Sequence, residues 1–266
     1  MFGSENKFKT AIGNGQLQIG FWQGLATGVT AEICAYAGFD WLLVDGEHGA
    51  NDLRSIRDQL QIIDPSPSDA VVRISAVDVV EVKQVMDAGA QTILVPMVDT
   101  AEDAALMASA MLYPPHGIRG NGFGVVRVTD YGRSKTYTAG ANDQACLLVQ
   151  VETVLAMENI DAIAVTEGVH GVFIGPGDLA TSMGHIGNPG HPDVQAAIEH
   201  GIARILAAGK APGILMADET KVRRYIELGA LFVAVGSDVA VLANGAKNLA
   251  VKYLGGDVTS AKGQVY

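Results

Sequence analysis

Cysteine is scarce in this sequence. Cys34 and Cys146 are too far apart for a C-x-x-C pair and too few for a disulfide framework. They read as buried free thiols in a reducing compartment, so the expected location is the cytoplasm. Long apolar runs are also missing. None approaches the roughly 18 consecutive residues that a membrane helix needs. The N-terminal stretch MFGSENKFKTAIGNG is polar and has no apolar signal core. Positive charge is in short supply, with 18 Lys and Arg against 29 Asp and Glu and a net charge of −11. Such a surface repels phosphate backbones and anionic lipid, which excludes nucleic acid and membrane as primary partners. A small anionic ligand therefore needs a local cation, either an arginine or a metal. Aromatic residues make up only 6%, whereas glycine is abundant at 32 residues.

The chain has 266 residues, of which 48% are hydrophobic. No linker or charge run divides it, so residues 1–266 read as one domain. Single α/β barrels have about this length, roughly 250 residues. One pattern recurs: a glycine ends a helical stretch and an apolar strand follows. It appears from Gly38 to Asp45, Gly89 to Pro96, Gly168 to Gly175 and Gly229 to Gly236, each spanning seven positions. Glycine takes the left-handed position after a helix, and a buried parallel strand reads as a continuous apolar run. Four occurrences point to one repeated supersecondary unit.

Filling the gaps predicts eight strands. They fall near Ile19–Trp22, Trp41–Asp45, Ala70–Arg73, Thr92–Pro96, Cys146–Val151, Gly171–Gly175, Pro212–Leu215 and Leu231–Val235. Helical patterns lie between them at Asp52–Ile63, Val79–Ala88, Ala101–Leu112, Thr153–Val165, Asp193–Ala208 and Glu219–Leu228. A last helix near Val239–Tyr253 closes the series. Alternating strands and helices mean a parallel sheet, and eight units favour a closed (β/α)8 TIM barrel. An open doubly wound sheet is the alternative. Two connections exceed the usual roughly 2–6 residues. One runs from Tyr113 to about Asp130 and the other from Met183 to Pro192. The tail from Gly255 reads as a frayed end.

In a barrel, chemistry gathers at the C-terminal ends of the strands. Trp22 stands there on strand one, Asp45-Gly46-Glu47-His48 on strand two, and Arg73 on strand three. Gln150-Val151-Glu152 ends strand five, and Gly175-Pro176-Gly177-Asp178 follows strand six. Glu152 and Asp178 together make a hard oxygen site suited to Mg²⁺, Mn²⁺ or Co²⁺. Taken singly, each can equally favour or cap a helix N-terminus. Asp45 and His48 can form a dyad in which the carboxylate orients the imidazole, or can be a turn cap and a solvated loop residue. Glu47 points away from both in an extended loop and reads as an outer or interface group. Arg73 ends an apolar strand, so it pairs with a rim carboxylate or holds an anionic group. The amides of Gly177 and Asp178 open a helix and can bind a carboxylate. A Schiff-base site needs a lysine at a strand end. Lys83 and Lys221 fall within helices and Lys210 precedes a strand, which favours a metal as electron sink. Gly120-Asn121-Gly122-Phe123-Gly124 lacks the spacing of a nucleotide loop.

These segments resemble the class II pyruvate aldolases typified by 4-hydroxy-2-oxoheptanedioate aldolase and 2-dehydro-3-deoxyglucarate aldolase. The resemblance is carried by FDWLLVDGEH (39–48), QTILVPMV (91–98), YPPHGIRG (113–120), VQVET (149–153), GVFIGPGDL (171–179) and KAPGIL (210–215). NPGHPDVQAAIE (188–199) and ELGALFVAVG (227–236) bring it nearest the heptanedioate enzymes. Gly49-Ala50 departs from the expected alanine and proline, which bears on aldehyde specificity. The resemblance implies a barrel whose last helix is swapped between subunits of a homohexamer, a dimer of trimers. It implies Glu152 and Asp178 as metal ligands, Arg73 on the keto or enolate oxygen, and His48 with Asp45 on the aldol hydroxyl. Gln150, Gly177, Leu215 and Trp22 would line the substrate, and Asp87 would reach a neighbouring subunit's site. The implied reaction is reversible cleavage of 4-hydroxy-2-oxo acids to pyruvate, or a related 2-oxo acid, and an aldehyde such as succinic semialdehyde. Two other readings compete. One is an acyl-CoA lyase of the malyl-CoA or citryl-CoA type, disfavoured because no cationic cluster suits a CoA phosphate. The other is a non-catalytic metabolite-binding barrel, which predicts a damaged rim.

Overall fold

Eight parallel strands close on themselves in chain order in this computed structural model, which describes residues 5–254. They are β1 (Gln18–Gln23), β2 (Trp41–Asp45), β3 (Asp69–Arg73), β4 (Thr92–Val95), β5 (Cys146–Val151), β6 (Val169–Ile174), β7 (Ala211–Leu215) and β8 (Phe232–Ser237). The pairing of β1 with β8 through Ile19–Val233 and Gly20–Ala234 seals the ring and excludes the open sheet. The expected tail from Gly255 lies outside the described residues.

The helices are α1 (Lys7–Gly13), α2 (Gly28–Ala35), α3 (Leu53–Ile63), α4 (Val79–Ala88), α5 (Ala101–Met111) and α6 (Tyr137–Gln144). They continue as α7 (Val154–Glu158), α8 (Ile160–Val165), α9 (Pro176–Ser182), α10 (Pro192–Ala207), α11 (Glu219–Glu227) and α12 (Asp238–Leu254). The long connection after α5 reaches past Asp130 to the start of α6, with one 3-10 turn at Arg127–Thr129. The single helix expected over Thr153–Val165 is two, divided at Asn159. Its side chain turns inward and donates to Asp99 O at 2.8 Å. Helices α1, α2 and α6 are short, and the apolar pattern did not reveal them.

The glycine pattern has the conformation that its spacing implied. Gly38, Gly89, Gly168 and Gly229 have φ of 100°, 124°, 87° and 101°, values a side chain rarely adopts. Period-two pleating then sorts each strand. Leu42, Val44, Val72, Ile93, Val149, Val172 and Val233 point outward and pack against the helices. Trp41, Leu43, Val71, Leu94, Leu148, Phe173 and Phe232 point inward and fill the barrel. Phe8 of α1 plugs the N-terminal end, edge-on to Trp41 and Phe232. The large rings need glycine opposite. A Cβ at Gly20 would lie 2.1 Å from the Trp41 ring, and one at Gly213 would lie 2.1 Å from Phe232.

Helix α12 starts on the barrel but does not pack along it. Asp238 is anchored by the N–H groups of Gly24 and Leu25, at 2.8 and 3.1 Å. After it no residue of the helix is buried. Val241, Leu242, Leu249, Tyr253 and Leu254 are exposed, as are Val29 and Ile33 of α2 and Tyr36 at its C-terminal cap. No helix among the described residues is long and apolar enough to cross a membrane.

Candidate active site

The pleat that fills the barrel with apolar rings also places its last layer of side chains at the C-terminal rim. Two residues beyond an inward-facing residue, the next side chain faces inward again. Leu43 is thus followed by Asp45, Val71 by Arg73, Leu148 by Gln150, and Gly20 by Trp22. These side chains meet in a cavity of about 390 Å³. Its walls include Trp22, Asp45, His48, Arg73, Gln150, Glu152, Phe173, Gly177, Asp178 and Leu215. No lysine is among the residues lining it. Lys210 is at the opposite end, donating to Val169 O at 2.7 Å.

Arg73 is the organising cation and is only 6% exposed. Its Nε and Nη2 donate to Asp45 Oδ1 and Oδ2 at 2.9 and 2.7 Å, a bidentate pair. Its Nη1 lies 2.7 Å from Glu47 Oε2. The guanidinium carbon stands 4.9 Å over the Trp22 ring, and Trp22 Nε1 donates to Asp45 Oδ2 at 3.0 Å. Burial pushes the Asp45 carboxyl up. Arg73, Trp22 and the Glu47 amide outweigh that effect and hold it below the ordinary carboxylate range.

Glu47 does not point away, contrary to the sequence reading. Gly46 lets the chain turn tightly over β3, where an added Cβ would lie 2.6 Å from Arg73 O. The Glu47 side chain folds back onto Arg73. Burial raises its carboxyl, partly offset by Arg73 and His48. The expected Asp45–His48 dyad is also not assembled within this chain. Asp45 receives the His48 backbone N–H at 3.2 Å, and its oxygens are committed to Arg73 and Trp22. The carboxylate near the His48 imidazole is Glu47, 4.0 Å from Nε2, and the His48 side chain is 66% exposed. A short, constrained loop turns Glu47 back onto Arg73 and leaves the His48 ring facing solvent, which residue spacing alone does not reveal.

Glu152 is 1% exposed. Its Oε1 accepts the Met97 N–H at 2.9 Å, and Oε2 accepts from Gln150 Nε2 in a short contact. Met97 adopts φ 53°, which aims that N–H inward. Gly175 leaves the room required, since a Cβ there would lie 2.2 Å from Glu152 Oε2. Burial pushes the Glu152 carboxyl up to about 7. The two hydrogen bonds oppose the rise, while the charges of Asp178 and Glu47 add to it. Asp178 enters the cavity from the first turn of α9. Sequence reading missed the contributions of Met97 and Glu47. Met97 has no sequence signal, because a backbone donor can be any residue.

This donor set fits a divalent cation. Arg73 is already matched by Asp45 and Glu47. The buried carboxylate of Glu152 and that of Asp178 then face one cavity with no protein cation left for them among its lining residues. Oxygen ligands with open positions suit Mg²⁺, Mn²⁺ or Co²⁺.

Asp87 does not join the site of its own chain. It sits in the last turn of α4, at the N-terminal end of the barrel, where it accepts from Arg119 Nη2 at 2.8 Å. Arg119 is 1% exposed, donates to Tyr137 Oη at 2.9 Å and stacks 4.5 Å over the Tyr113 ring. The YPPHGIRG segment therefore holds Asp87 in place.

A parallel barrel with a carboxylate-lined pocket at its C-terminal rim defines an enzyme-like metal-binding barrel. Residues 18–245 match the HpcH/HpaI aldolase/citrate lyase family, and the chain belongs to it. It is 53% identical over 262 residues to hydroxypyruvate/pyruvate aldolase of Pseudomonas aeruginosa, covering 98% of each chain. It is also 53% identical over 262 residues to 4-hydroxy-2-oxo-heptane-1,7-dioate aldolase of Shigella sonnei, covering 98% of this chain and all of that one. Among solved structures, an HpcH/HpaI aldolase/citrate lyase family protein of Burkholderia cenocepacia J2315 superposes with a TM-score of 0.89. That protein is 36% identical, and the match covers 93% of this chain and 98% of the other.

Proposed function

We propose that this protein is a divalent-metal-dependent aldolase. It reversibly cleaves 4-hydroxy-2-oxo acids, such as 4-hydroxy-2-oxoheptanedioate, to a 2-oxo acid and an aldehyde. Pyruvate is the 2-oxo acid expected first, and the relative acting on hydroxypyruvate makes that a second donor to test. One observation carries the reading: Glu152 and Asp178 face the cavity uncompensated, beside a buried guanidinium already matched in charge.

Glu152 and Asp178 would hold the metal, which when bound supplies Lewis-acid polarisation of the 2-oxo group. The first-turn amides of α9 at Gly177 and Asp178 have no intrahelical partner and orient the substrate carboxylate. Gln150 fixes one Glu152 oxygen, and Trp22 and Leu215 exclude water from one wall. Arg73 donates to the oxygen on which negative charge grows as the C3–C4 bond breaks. Asp45 and Glu47 hold that guanidinium in place, so no reorganisation is needed during the step. His48 takes the proton of the 4-hydroxyl group. The electron pair of the broken bond passes to C3, and a proton returned to C3 completes the 2-oxo acid. The exposure of His48 and the remote position of Asp87 suit a site completed by a neighbouring copy.

We further infer a homohexamer, a dimer of trimers, whose α12 docks on another barrel. The unburied helix and the exposed apolar residues of α2 support that reading. The competing acyl-CoA lyase reading has no specific feature in its favour.

The test is retro-aldol release of pyruvate, coupled to lactate dehydrogenase, after chelation and then with Mn²⁺, Co²⁺ or Mg²⁺ restored. Pyruvate appearing only with metal is the expected result. Metal-independent release would overturn the metal assignment, and no release from any 4-hydroxy-2-oxo acid would overturn the reaction.

A further inference from the structure

The turn from α9 to α10 holds a cluster that the aldol chemistry does not use. Residues 183–191 are short, polar and rich in glycine, and they carry His185 and His191 just ahead of Asp193. The two imidazoles stack, with centroids 3.6 Å apart and planes inclined by 13°. Asp193 Oδ2 lies 3.7 Å from His185 Nε2 and 3.7 Å from His191 Nδ1. One nitrogen from each ring and one carboxylate oxygen all fall within 4.8 Å of one another.

The backbone holds the two side chains close together before any ligand arrives, and one ring must turn out of the stack for both in-plane lone pairs to meet on one ion. His185 N–H donates to Ala180 O at 2.7 Å, and Asn188 N–H donates to His185 O at 2.9 Å. His191 N–H donates to Asn188 O at 3.1 Å, and Gln195 Nε2 donates to Pro189 O at 2.8 Å. Gly184 and Gly187, with φ of 82° and 70°, make the left-handed steps that bring the rings together.

At 3.7 Å, neither His–Asp contact is a hydrogen bond, because such bonds have N···O distances of roughly 2.7–3.2 Å. It is close to the spacing of two ligands on one ion. Ligands about 2.0–2.2 Å from a tetrahedral zinc stand roughly 3.4 Å from each other. His191 Nδ1 also accepts the Asp193 N–H at 3.3 Å, a long bond that a metal ion readily displaces. Two imidazoles and one carboxylate suit a borderline transition ion better than Mg²⁺ or Ca²⁺. Lys221 sharpens that choice. A Cβ at Gly190 would lie 3.1 Å from Lys221 Nζ, so an ammonium group overlooks the turn. That ammonium repels any divalent ion, and one that bonds strongly to imidazole offsets the repulsion better than one held mainly by charge.

We propose that His185, His191 and Asp193 form a second metal site for a divalent ion of the zinc class. It is separate from the Glu152–Asp178 pair and staples the α9–α10 turn. The proposal stands independently of the aldolase reading.

The test uses the full chain stripped with a chelator and dialysed against micromolar Zn²⁺, with bound metal counted by atomic emission. The Glu152→Gln variant removes one aldol-site ligand and should keep one zinc per chain. Adding His185→Ala and His191→Asn should remove it, while asparagine at 191 preserves the helix cap. In the wild-type background the same two changes should lower the count by one, which keeps the test valid if Glu152→Gln does not fold. The loss in zinc affinity should exceed the roughly 10- to 100-fold that outer-shell changes cause. Co²⁺ gives an independent readout. An intense visible band from a four-coordinate nitrogen–oxygen site should appear in Glu152→Gln and vanish with the histidine changes. Zinc that the histidine changes do not remove, or binding seen only at millimolar Zn²⁺, an adventitious ion only, would overturn the proposal. Pyruvate release with Mg²⁺ should survive His185→Ala/His191→Asn.

Discussion

The charges at the rim act through their partners. Arg73 is buried among Asp45, Glu47 and Trp22, and that packing keeps it charged and aimed. Replacing Asp45 by asparagine breaks the bidentate pair but leaves Glu47, so the cost should be roughly 3 kcal/mol, at the low end for a broken buried pair. Urea unfolding of Asp45→Asn at neutral pH checks the value, and a midpoint equal to wild type would reject the pairing as a source of stability. His48→Ala should lower kcat for retro-aldol cleavage by roughly 10²- to 10⁴-fold, the usual contribution of a general base. Full activity in that variant would remove His48 from the chemistry. Two of the shifted rim carboxyls, Asp45 and Glu152, have opposite signs. Asp45 is depressed in the folded state, so its contribution is present above the ordinary carboxylate range and fades as pH falls through its folded value. Glu152 is raised from 4.5 to about 7, so the metal-free fold loses stability as pH rises between those values. Thermal unfolding of chelated protein should therefore show a falling Tm from pH 5 to pH 7, and bound metal should flatten the slope. A pH-independent Tm in the chelated protein would contradict a buried, proton-holding Glu152.

Elements set how those side chains meet. The inward pleat delivers Asp45, Arg73 and Gln150 to one layer, and parallel pairing keeps Asp45 level with Arg73. Gly213 and Gly20 make room for Phe232 and Trp41 inside the barrel. Gly213→Ala puts a methyl group into the Phe232 ring, and overpacking of that kind costs typically about 1–3 kcal/mol. The expected outcome is a lowered urea midpoint with an unchanged slope, whereas a wild-type midpoint would mean that Phe232 moves freely. Much of this level was legible beforehand. The four glycine-to-strand repeats located β2, β4, β6 and β8 because a left-handed glycine and an apolar strand are local properties. The division at Asn159 was not legible, since it depends on the contact between Asn159 and Asp99 across the fold.

At the scale of the whole molecule, the unsatisfied surfaces are the most informative feature. Helix α12 exposes its apolar residues, α2 does the same, His48 faces solvent and Asp87 stands at the far end of its own barrel. All four are met if copies associate. The intact chain should sediment at six times its 27.7 kDa mass, and Leu242→Glu/Leu249→Glu should dissociate it and reduce kcat. A fully active monomer would show that the site is complete within one chain.

Whereas the β1–β8 pairing decided the closure, the sequence by itself determined the repeat, the strand positions, the count of eight units and the strand-end placement of Asp45, Arg73, Gln150, Glu152 and Asp178. Each follows from a residue's own backbone preference or from the two-residue pleat, and neither needs a distant partner. Only the tertiary structure decided that Glu47 turns onto Arg73, that Asp45 serves Arg73 rather than the His48 ring, and that Met97 N–H reaches Glu152. It also decided that α12 leaves its barrel unclad. Those outcomes depend on distances across the closed ring, which strand register and loop length set jointly and no local stretch of chain encodes.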